Sequence, residues 1–564
     1  MKFISKHYNV LILGLIILLA ALLRFWQLGD YPVSPNWDEV SHGYNAYSIL
    51  KTGKDEWGVS FPTIFKAFGD YKLPVYIYLT VIPVSIFGLN VFAVRFISAL
   101  AGTLAIFGIY LLTNYFWPDL KLKFGKINIK IGILTAYLLA INPWHFFISR
   151  PALEANLSLT LIIFGFYFLV KGLDRNKFLI PSSVLLGLSL HTYNTARVFV
   201  PLLGLATILI YYNKLRINKS SIISAVILIA FAGIVLHQLS TGEATARYNK
   251  LQILSDNAIY QIGDNYTKSK LPKIIAKAIY NRPVYFVKTA ALNYLNYFSP
   301  QFFYQSQGAQ TQFAIPIKNL FTLSVTAMSF VGLVYLFINR KSQSNKFIFT
   351  WLLASPVAAS LTADPPQALR PNPMIPALLI IACLGVFLIT TKVKGFIKNL
   401  VLIVFILSAS FSFYKYINSY FYDYSKNYAD SWQYGYKEVI DYINQNENNY
   451  DKIFITKAYA EPHIFYAFFS KLNPTLLQPG SNSIRFEKSN WFWTDKIGKV
   501  YFINEWNIPT STDAKTLKLE SGEEVSTSNS LLITTLFRIP KNAKMIKAIN
   551  YPLDYSAFII TSIK

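Results

Sequence analysis

The sequence predicts a polytopic α-helical membrane protein with a small α/β domain at its C-terminal end. Of the 564 residues, 53% are hydrophobic and only 14% are charged, whereas about 25% of the residues of a soluble protein are charged. Apolar runs of about 18 residues, the length that spans a bilayer as a helix, recur up to about residue 415. Beyond that point the apolar density falls and polar residues return.

The first apolar run, VLILGLIILLAALL, follows Lys2 and Lys6. Cleaved signal peptides and retained signal-anchor helices share this pattern. Because the apolar core is long and RFWQLGDYP is a poor cleavage context, we expect a retained helix, with cleavage as the alternative. The apolar segments are 9–28, 74–88, 91–116, 131–148, 154–170, 178–190, 198–212, 220–238, 318–338, 347–362, 373–390 and 399–415.

Basic residues between these segments predict the orientation in the membrane. The loops KLKFGKINIK, KGLDRNK, NKLRINKS, NRKSQSNK and TKVKGFIK each carry three or four cations, which places them in the cytoplasm with the N-terminus. This alternation requires that segment 74–88 does not cross, and Pro74 and Pro83 fit an interfacial or re-entrant helix there. We therefore predict eleven spans, with a twelve-span count in which 74–88 crosses as the alternative.

The domain organisation follows from this topology. Residues 1–415 form the predicted transmembrane domain, with 29–90 as the first outer loop and 239–317 as the large outer loop. Residues 416–564 form an extracytoplasmic α/β domain. Within it, SWQYGYKEVIDYINQNEN has helical spacing, with Asp430 or Ser431 as the N-cap. DKIFIT, KVYFIN and AFIITSI are predicted strands.

Composition and motifs exclude several classes of function. The formal charge is +25, and many of the Lys and Arg residues fall in short loops between spans, which favours positive-inside topology over a nucleic-acid partner. Nucleotide-binding glycine loops and zinc-ligand spacings are absent from the sequence. The single cysteine, Cys383, lies in an apolar run, so the chain has no disulfide framework.

The predicted topology brings the notable polar residues to the outer side of the membrane. Ionisable groups at membrane depth usually mark a site or a satisfied pair. Arginine and lysine suit a phosphate, and a carboxylate beside them suits a general base. The candidate site residues are Asp38, Glu39, Asp70, Lys72, Arg150, Glu154, His191, Tyr193, Arg197 and Arg370.

Each candidate also has a purely structural interpretation. Acids are favourable at a helix N-terminus, which applies to Asp38 and Glu39. A lysine such as Lys72 can extend toward lipid headgroups. Arg150 and Glu154 have the spacing of an ion pair on a helix that starts at Pro151. His191 and Tyr193 fit satisfied polar residues in a loop, and Arg197 and Arg370 each precede a span.

Four motifs carry a resemblance to a known family. WDEVSHGYNAYSIL, FGDYKLPVYIYL, HTYNTARVF and PPQALR resemble the polyprenyl-phosphate-sugar-dependent glycosyltransferases of the GT-C fold. The relatives implied are the protein O-mannosyltransferase and aminoarabinose-transferase superfamily, especially its bacterial branch. The resemblance covers residues 1–415 and implies that Asp38 is the catalytic carboxylate, with Glu39 beside it.

The other motifs of the family carry over less completely. The family's Lys-Pro-Pro segment after a second acid corresponds to Lys72 and Asp70, but here one proline is replaced by Leu73. A histidine often precedes Ala-Leu-Arg in the bacterial branch, whereas this sequence has Gln367. The arginine of that motif, Arg370, remains as the phosphate candidate.

The resemblance implies an enzyme of the cell membrane, a hexosyl- or pentosyltransferase of the cell envelope. Its donor is a polyprenyl-phosphate-linked sugar and its acceptor a glycan, lipid or protein at the outer face. Asp38 takes the acceptor proton in an inverting reaction, and Lys72, Arg197 and Arg370 receive the phosphate. No cofactor is certain, and a divalent metal stays open. The alternatives are a transporter or flippase for a lipid-linked sugar and an outer-face polysaccharide polymerase or ligase.

Overall fold

A computed structural model describes residues 2–125, 127–242, 250–305, 310–363 and 366–563, with side chains from residue 8 onward. The chain divides into two compact units. Unit 1 comprises Met1–Arg24, Ala99–Ser149 and Leu153–Ile417. Unit 2 comprises Phe25–Ser98, Arg150–Ala152 and Asn418–Lys564.

The apolar segments predicted from the sequence all form helices. The helices, numbered along the chain, are α1 (Lys2–Phe25), α2 (Trp37–Thr52), α3 (Pro74–Phe87), α4 (Val91–Phe116), α5 (Ile131–Ala140), α6 (Pro143–Ile148), α7 (Glu154–Asp174), α8 (Leu179–Leu190), α9 (Ala196–Ile210), α10 (Lys219–Ser240), α11 (Asp256–Lys268), α12 (Lys273–Ile279), α13 (Arg282–Asn296), α14 (Pro300–Gln305), α15 (Leu323–Ile338), α16 (Gln343–Ala354), α17 (Val357–Ser360), α18 (Met374–Lys392), α19 (Gly395–Asn418), α20 (Tyr436–Asn446) and α21 (Pro462–Phe469).

Within the described residues, six helices are long and apolar enough to cross a membrane: Tyr8–Phe25, Val91–Phe116, Glu154–Asp174, Lys219–Ser240, Met374–Lys392 and Gly395–Asn427. Shorter apolar helices occupy Pro74–Phe87, Ile131–Ala140, Asn176–Leu190, Ala196–Ile210 and Leu323–Ile338. These lengths confirm a polytopic membrane protein. The count of eleven spans and the side on which each terminus lies stay predictions.

Two of the predicted spans are not continuous helices. Segment 131–148 is divided into α5 and α6 because Pro143 opens a new helix, which Asn142 caps by accepting the His145 N–H at 2.9 Å. Segment 347–362 is divided into α16 and α17 at Pro356, which has no N–H to continue the helical ladder.

The strands, numbered along the chain, are β1 (Phe65–Ala67), β2 (Asp70–Lys72), β3 (Lys121–Phe124), β4 (Ile127–Lys130), β5 (Lys452–Thr456), β6 (Ser483–Lys488), β7 (Trp491–Ile497), β8 (Val500–Ile503), β9 (Thr516–Lys518), β10 (Glu524–Ser526), β11 (Ser530–Thr534), β12 (Lys544–Asn550) and β13 (Ser556–Ile563). Unit 2 contains a mixed seven-stranded sheet in the order β12-β13-β11-β5-β8-β7-β6, in which the β11–β5 and β5–β8 pairs are parallel, and a separate pair of β9 and β10. The three predicted strands are thus confirmed. Phe454, Ile503 and Leu532 lie in the buried core on this sheet.

The predicted N-cap of the first helix after the spans is wrong. Asp430–Trp432 forms a separate 3₁₀ turn, and α20 begins only at Tyr436. Gln433 (φ 52°) and Gly435 (φ 103°), which lie between the turn and the helix, adopt positive φ angles. Because an α-helix needs negative φ angles, the turn cannot continue into α20.

Residues of the predicted first outer loop pack with the C-terminal segment inside unit 2. Gln433 Oε1 accepts the backbone N–H of Trp37 at 2.9 Å. Arg485 forms a buried ion pair with Glu56 at 2.9 Å. The compact unit therefore joins stretches that are far apart in the sequence, while the domain boundary at residues 415 and 416 stays a prediction.

Asp55 gives this unit a testable pH dependence. Burial raises the pKa of its carboxyl from 3.8 to about 6, although Oδ1 accepts the backbone N–H groups of Trp57 and Val59. The protonated form is therefore favoured in the folded state, and its contribution to stability is present below pH 4 and lost as the pH rises through about 6.

Asp55→Asn keeps the acceptor oxygen of this turn and removes the charge. We expect the thermal midpoint of the full-length variant to exceed that of the wild type by more at pH 7 than at pH 5, measured by tryptophan fluorescence in detergent. Midpoints whose difference does not change with pH would contradict the raised pKa.

Candidate active site

The start of α2 fixes the position of Asp38. Asn36 caps the helix by accepting the Glu39 backbone N–H at 2.9 Å, and the Glu39 carboxylate in turn accepts the Asn36 N–H at 3.2 Å. This reciprocal capping box defines the first turn, which contains Asp38. The Asp38 side chain is 47% exposed, so its carboxylate is accessible on a rigid element.

Lys72 reaches Asp38 from a β-hairpin. Strands β1 (Phe65–Ala67) and β2 (Asp70–Lys72) are joined by Phe68 and Gly69, whose positive φ angles of 49° and 82° suit a two-residue hairpin turn. Lys72 Nζ lies 2.8 Å from Asp38 Oδ1 and donates to the Asp38 carbonyl oxygen at 3.2 Å. The structure therefore pairs the predicted base with a predicted phosphate ligand.

Aromatic rings hold this lysine in place. Lys72 Nζ lies 5.3 Å from the centroid of the Phe68 ring, which stacks on Trp37 at 5.9 Å. The His463 ring of α21 contacts the same Phe68 at 6.0 Å between centroids. The hairpin turn is thus supported both by α2 and by the C-terminal part of unit 2.

Asp70 lies beside Lys72 on the hairpin. The two residues are two apart on β2, and side chains at this spacing point to the same face of a strand. Asp70 Oδ1 also accepts the backbone N–H of Tyr71 at 2.7 Å. Asp70 and Lys72 therefore share one strand of the hairpin, and the approach of the Asp70 carboxylate to Asp38 stays a prediction.

Glu39, which the sequence analysis counted among the candidate site residues as a second catalytic acid, has a structural position. Its side chain is 1% exposed. Oε1 accepts Arg95 Nε and the Ala152 N–H, both at 2.8 Å, and Oε2 accepts Arg95 Nη2 at 3.0 Å and the Asn36 N–H at 3.2 Å. These four bonds occupy the carboxylate fully, so no oxygen is left for a substrate proton.

Arg95 is one residue that the sequence analysis missed. All five of its N–H groups have acceptors, which are the two Glu39 oxygens and the carbonyls of Leu28, Pro32 and Ser34. The signal was visible as an arginine inside the apolar run VFAVRFISAL, because a charge at membrane depth needs a partner.

Arg150 is also structural, so its predicted role in binding substrate is not supported. Its side chain is fully buried. Nη2 donates to the carbonyls of Trp26, Gln27 and Tyr31, and the guanidinium stacks on Tyr420 at 5.4 Å from the ring centroid. The predicted helix start at Pro151 is wrong, since α7 begins at Glu154.

Three predicted residues of unit 1 lie where α8, α9 and α10 meet. Arg197 donates from Nε to the Leu190 carbonyl at 3.0 Å and from Nη2 to Gln238 Oε1 at 2.6 Å. A ring nitrogen of His191 lies 3.0 Å from the Phe231 carbonyl oxygen, and Tyr193 is buried in the turn between α8 and α9. Arg197 is thus held in one orientation by neighbouring helices.

Arg370 lies in another part of unit 1. Its loop contacts the start of α7, where Glu154 is the first residue. Arg370 Nη1 donates to Thr362 Oγ1 at 2.8 Å. Its loop is fixed by Asn372, whose side chain donates at 2.9 Å to the carbonyl of Ala155, the residue after Glu154. Residue 365, the first of the PPQALR motif, lies outside the described residues. The convergence of Arg197, Arg370 and Asp38 stays a prediction.

His42 is a second residue that the sequence analysis missed. It follows Asp38 by four positions on α2, and residues at this spacing share a helix face. Its ring is fully buried and contacts the Tyr76 ring at 5.2 Å between centroids. The spacing Asp-x-x-x-His was the available signal.

Clusters of metal-ligating side chains were sought among the described residues. No group of three or more His, Cys, Asp or Glu side chains is placed there to hold a metal ion.

Two comparisons found no relative: no family model matches the chain, and no curated protein does. Solved structures do match. ArnT from Cupriavidus metallidurans, bound to undecaprenyl phosphate, aligns with a TM-score of 0.53 and 10% identity over 99% of this chain and 98% of that one. An Archaeoglobus fulgidus oligosaccharyltransferase with a tethered acceptor peptide aligns with a TM-score of 0.52 and 13% identity over 84% of this chain.

The match spans 64% of the archaeal enzyme, less than two thirds of its length. At these identities the likeness shows the fold alone. The predicted fold class, a polytopic α-helical protein of GT-C type with a C-terminal α/β domain, is confirmed.

We expect the neutralisation of each of the two adjacent acids to affect the stability of the protein differently. Glu39→Gln leaves the buried Arg95 without its counter-charge and should cost roughly 3–5 kcal/mol of folding free energy. Asp38→Asn, at a half-exposed position, should leave the thermal midpoint of the full-length protein close to that of the wild type. Equal midpoints for the two variants would contradict the structural assignment of Glu39.

Proposed function

We propose that this chain is an integral-membrane glycosyltransferase that moves a sugar from a polyprenyl-phosphate donor to a hydroxyl or amine of a glycan, lipid or protein. The observation that carries the proposal is the contact of Asp38 with Lys72, which places an accessible carboxylate beside a cation. The fold supports it, because the similar Cupriavidus metallidurans ArnT structure is bound to undecaprenyl phosphate.

The chemistry needs one base and a receptor for the leaving anion. The acceptor oxygen or nitrogen attacks the anomeric carbon while its proton passes to an Asp38 carboxylate oxygen. The bond from the anomeric carbon to the phosphate oxygen breaks with inversion, and its electron pair leaves with the polyprenyl phosphate. A phosphate leaves as a stable anion, so it requires positive charge and no proton donor.

Lys72 is the cation that supports this step best. Its ammonium group has three N–H donors, two of which face the Asp38 carboxylate and carbonyl oxygens. We propose that the third donates to a phosphate oxygen. Because the same lysine neutralises Asp38, the approach of the phosphate weakens that pairing and leaves the carboxylate a stronger base.

The remaining candidates have supporting positions. Asp70, on the same strand face as Lys72, is suited to orient the acceptor. Arg197 and Arg370, both in unit 1, stay proposed ligands of the donor phosphate. Their hydrogen bonds hold each guanidinium group, whose forked N–H donors suit a phosphate, in a defined orientation. His191, Tyr193 and Glu154 are proposed to support these two arginines.

Neutralising Asp38 tests the proposed base. In cells that lack the gene, mass spectrometry of envelope glycans should identify the sugar modification that the wild-type chain restores. Asp38→Asn should lower its formation by about 10²–10⁴-fold, the usual contribution of a general base.

Asp30→Asn is the matched control, because it removes an exposed carboxylate from the same loop. It should restore the modification fully, and both variants should accumulate in the membrane like the wild type. Full restoration by Asp38→Asn would contradict the assignment of Asp38.

A further inference from the structure

A groove of about 680 Å³ in unit 1 has no part in the chemistry above. It lies between a second β-hairpin, β3 (Lys121–Phe124) with β4 (Ile127–Lys130), and the turn that joins α18 to α19. The hairpin and the turn belong to two of the basic loops that the sequence analysis placed on one side of the membrane. None of the candidate catalytic or donor-binding residues lines this groove.

Four lysines line the groove in two pairs. Lys121 and Lys123 alternate along β3 and so share one face, while Leu122 between them is buried on the other. Lys398 lies in the first turn of α19, and Lys394 is in the turn immediately before that helix. The groove therefore concentrates positive charge from two independent elements.

Little negative charge balances these lysines. Asp119 is the one acid among the lining residues. Within the described part of the chain, none of the four lysines has an ion-pair partner, so Asp119 does not neutralise any of them directly. Like charges brought together this way repel one another, and a bound anion would relieve that repulsion.

The groove lies at the ends of apolar helices. Tyr8 of α1 donates from its hydroxyl to the Asn128 carbonyl at 2.6 Å, which ties the hairpin to the start of the first candidate span. On the other border, α18 ends at Lys392 and α19 begins at Gly395. Lipid headgroups lie at this level when such helices span a bilayer.

We propose that the groove binds the phosphate of an anionic phospholipid. The lipid would belong to the membrane leaflet that surrounds the N-terminal end of α1. Lysine ammonium groups bind phosphate as point charges, and basic pockets between membrane helices suit anionic headgroups. The lining also includes Phe387, which is suited to the apolar part of the lipid, and the exposed Thr391, whose hydroxyl donates to the Leu388 carbonyl at 2.7 Å and can accept from a polar headgroup.

The test uses the full-length protein in nanodiscs of phosphatidylcholine with about a fifth phosphatidylglycerol. Native mass spectrometry counts the phosphatidylglycerol molecules that remain bound after partial delipidation. Changing Lys121, Lys123, Lys394 and Lys398 together to glutamine should lower the retained phosphatidylglycerol about tenfold. The thermal midpoint in pure phosphatidylcholine should stay unchanged, which separates lost binding from lost folding.

The matched control changes Lys177, Lys219, Lys341 and Lys346 to glutamine, which removes four exposed lysines from other basic loops. It should retain phosphatidylglycerol like the wild type. Equal retention by the groove variant and the wild type would overturn the proposal. So would an equal loss in the control, which would indicate bulk charge, or complete displacement by inorganic phosphate, which would indicate a site for a free anion.

Discussion

The buried ion pair of Glu39 and Arg95 is the interaction on which the candidate site depends. Arg95 donates hydrogen bonds to the carbonyls of residues 28, 32 and 34 and to Glu39, and Glu39 accepts the N–H that completes the capping box at the start of α2. Together they fix the path of the chain into the helix whose first turn carries Asp38. A buried pair of this kind stabilises through its complete set of hydrogen bonds, because removing one partner leaves a desolvated charge. The two neighbouring acids therefore have different roles. Glu39 stabilises the start of α2, and Asp38 is exposed and available for chemistry.

The C-terminal segment has a physical role in this arrangement. It belongs to the same compact unit as α2 and the Lys72 hairpin, and it contacts both of them. Gln433 accepts a backbone N–H of the first turn of α2, and the His463 ring lies against Phe68 of the hairpin turn. The short hairpin has only three residues in each strand, and so small an element is marginal without packing against its surroundings. We infer that the C-terminal segment holds Lys72 where it can meet Asp38.

Local patterns in the sequence predicted the helices, the three strands and the residues of the acid–lysine contact. What local patterns could not predict were partners far apart in the chain. The charge of Arg95 in an apolar run indicates that a counter-charge exists, but the partner lies 56 positions away. The same limit applies to Arg150, whose acceptors include carbonyls more than 100 positions earlier. Pro143 and Pro356 were local signals for the two helix breaks. The predicted spans nevertheless included the helices on both sides of each break, because the spans were assigned from hydrophobicity alone. The lysine groove combines two loops that the sequence places far apart, so its charge was visible only as a preference for one side of the membrane.

In the proposed mechanism, Asp38 and the donor phosphate compete for Lys72. A double-mutant cycle on the affinity of the full-length protein for undecaprenyl phosphate tests it directly, with Asp38→Asn, Lys72→Gln and the double variant. If the claim holds, Asp38→Asn tightens binding by about three- to tenfold when Lys72 is present and has no effect when residue 72 is glutamine. An equal effect of Asp38→Asn in both backgrounds would show that the two side chains act independently and would contradict the account.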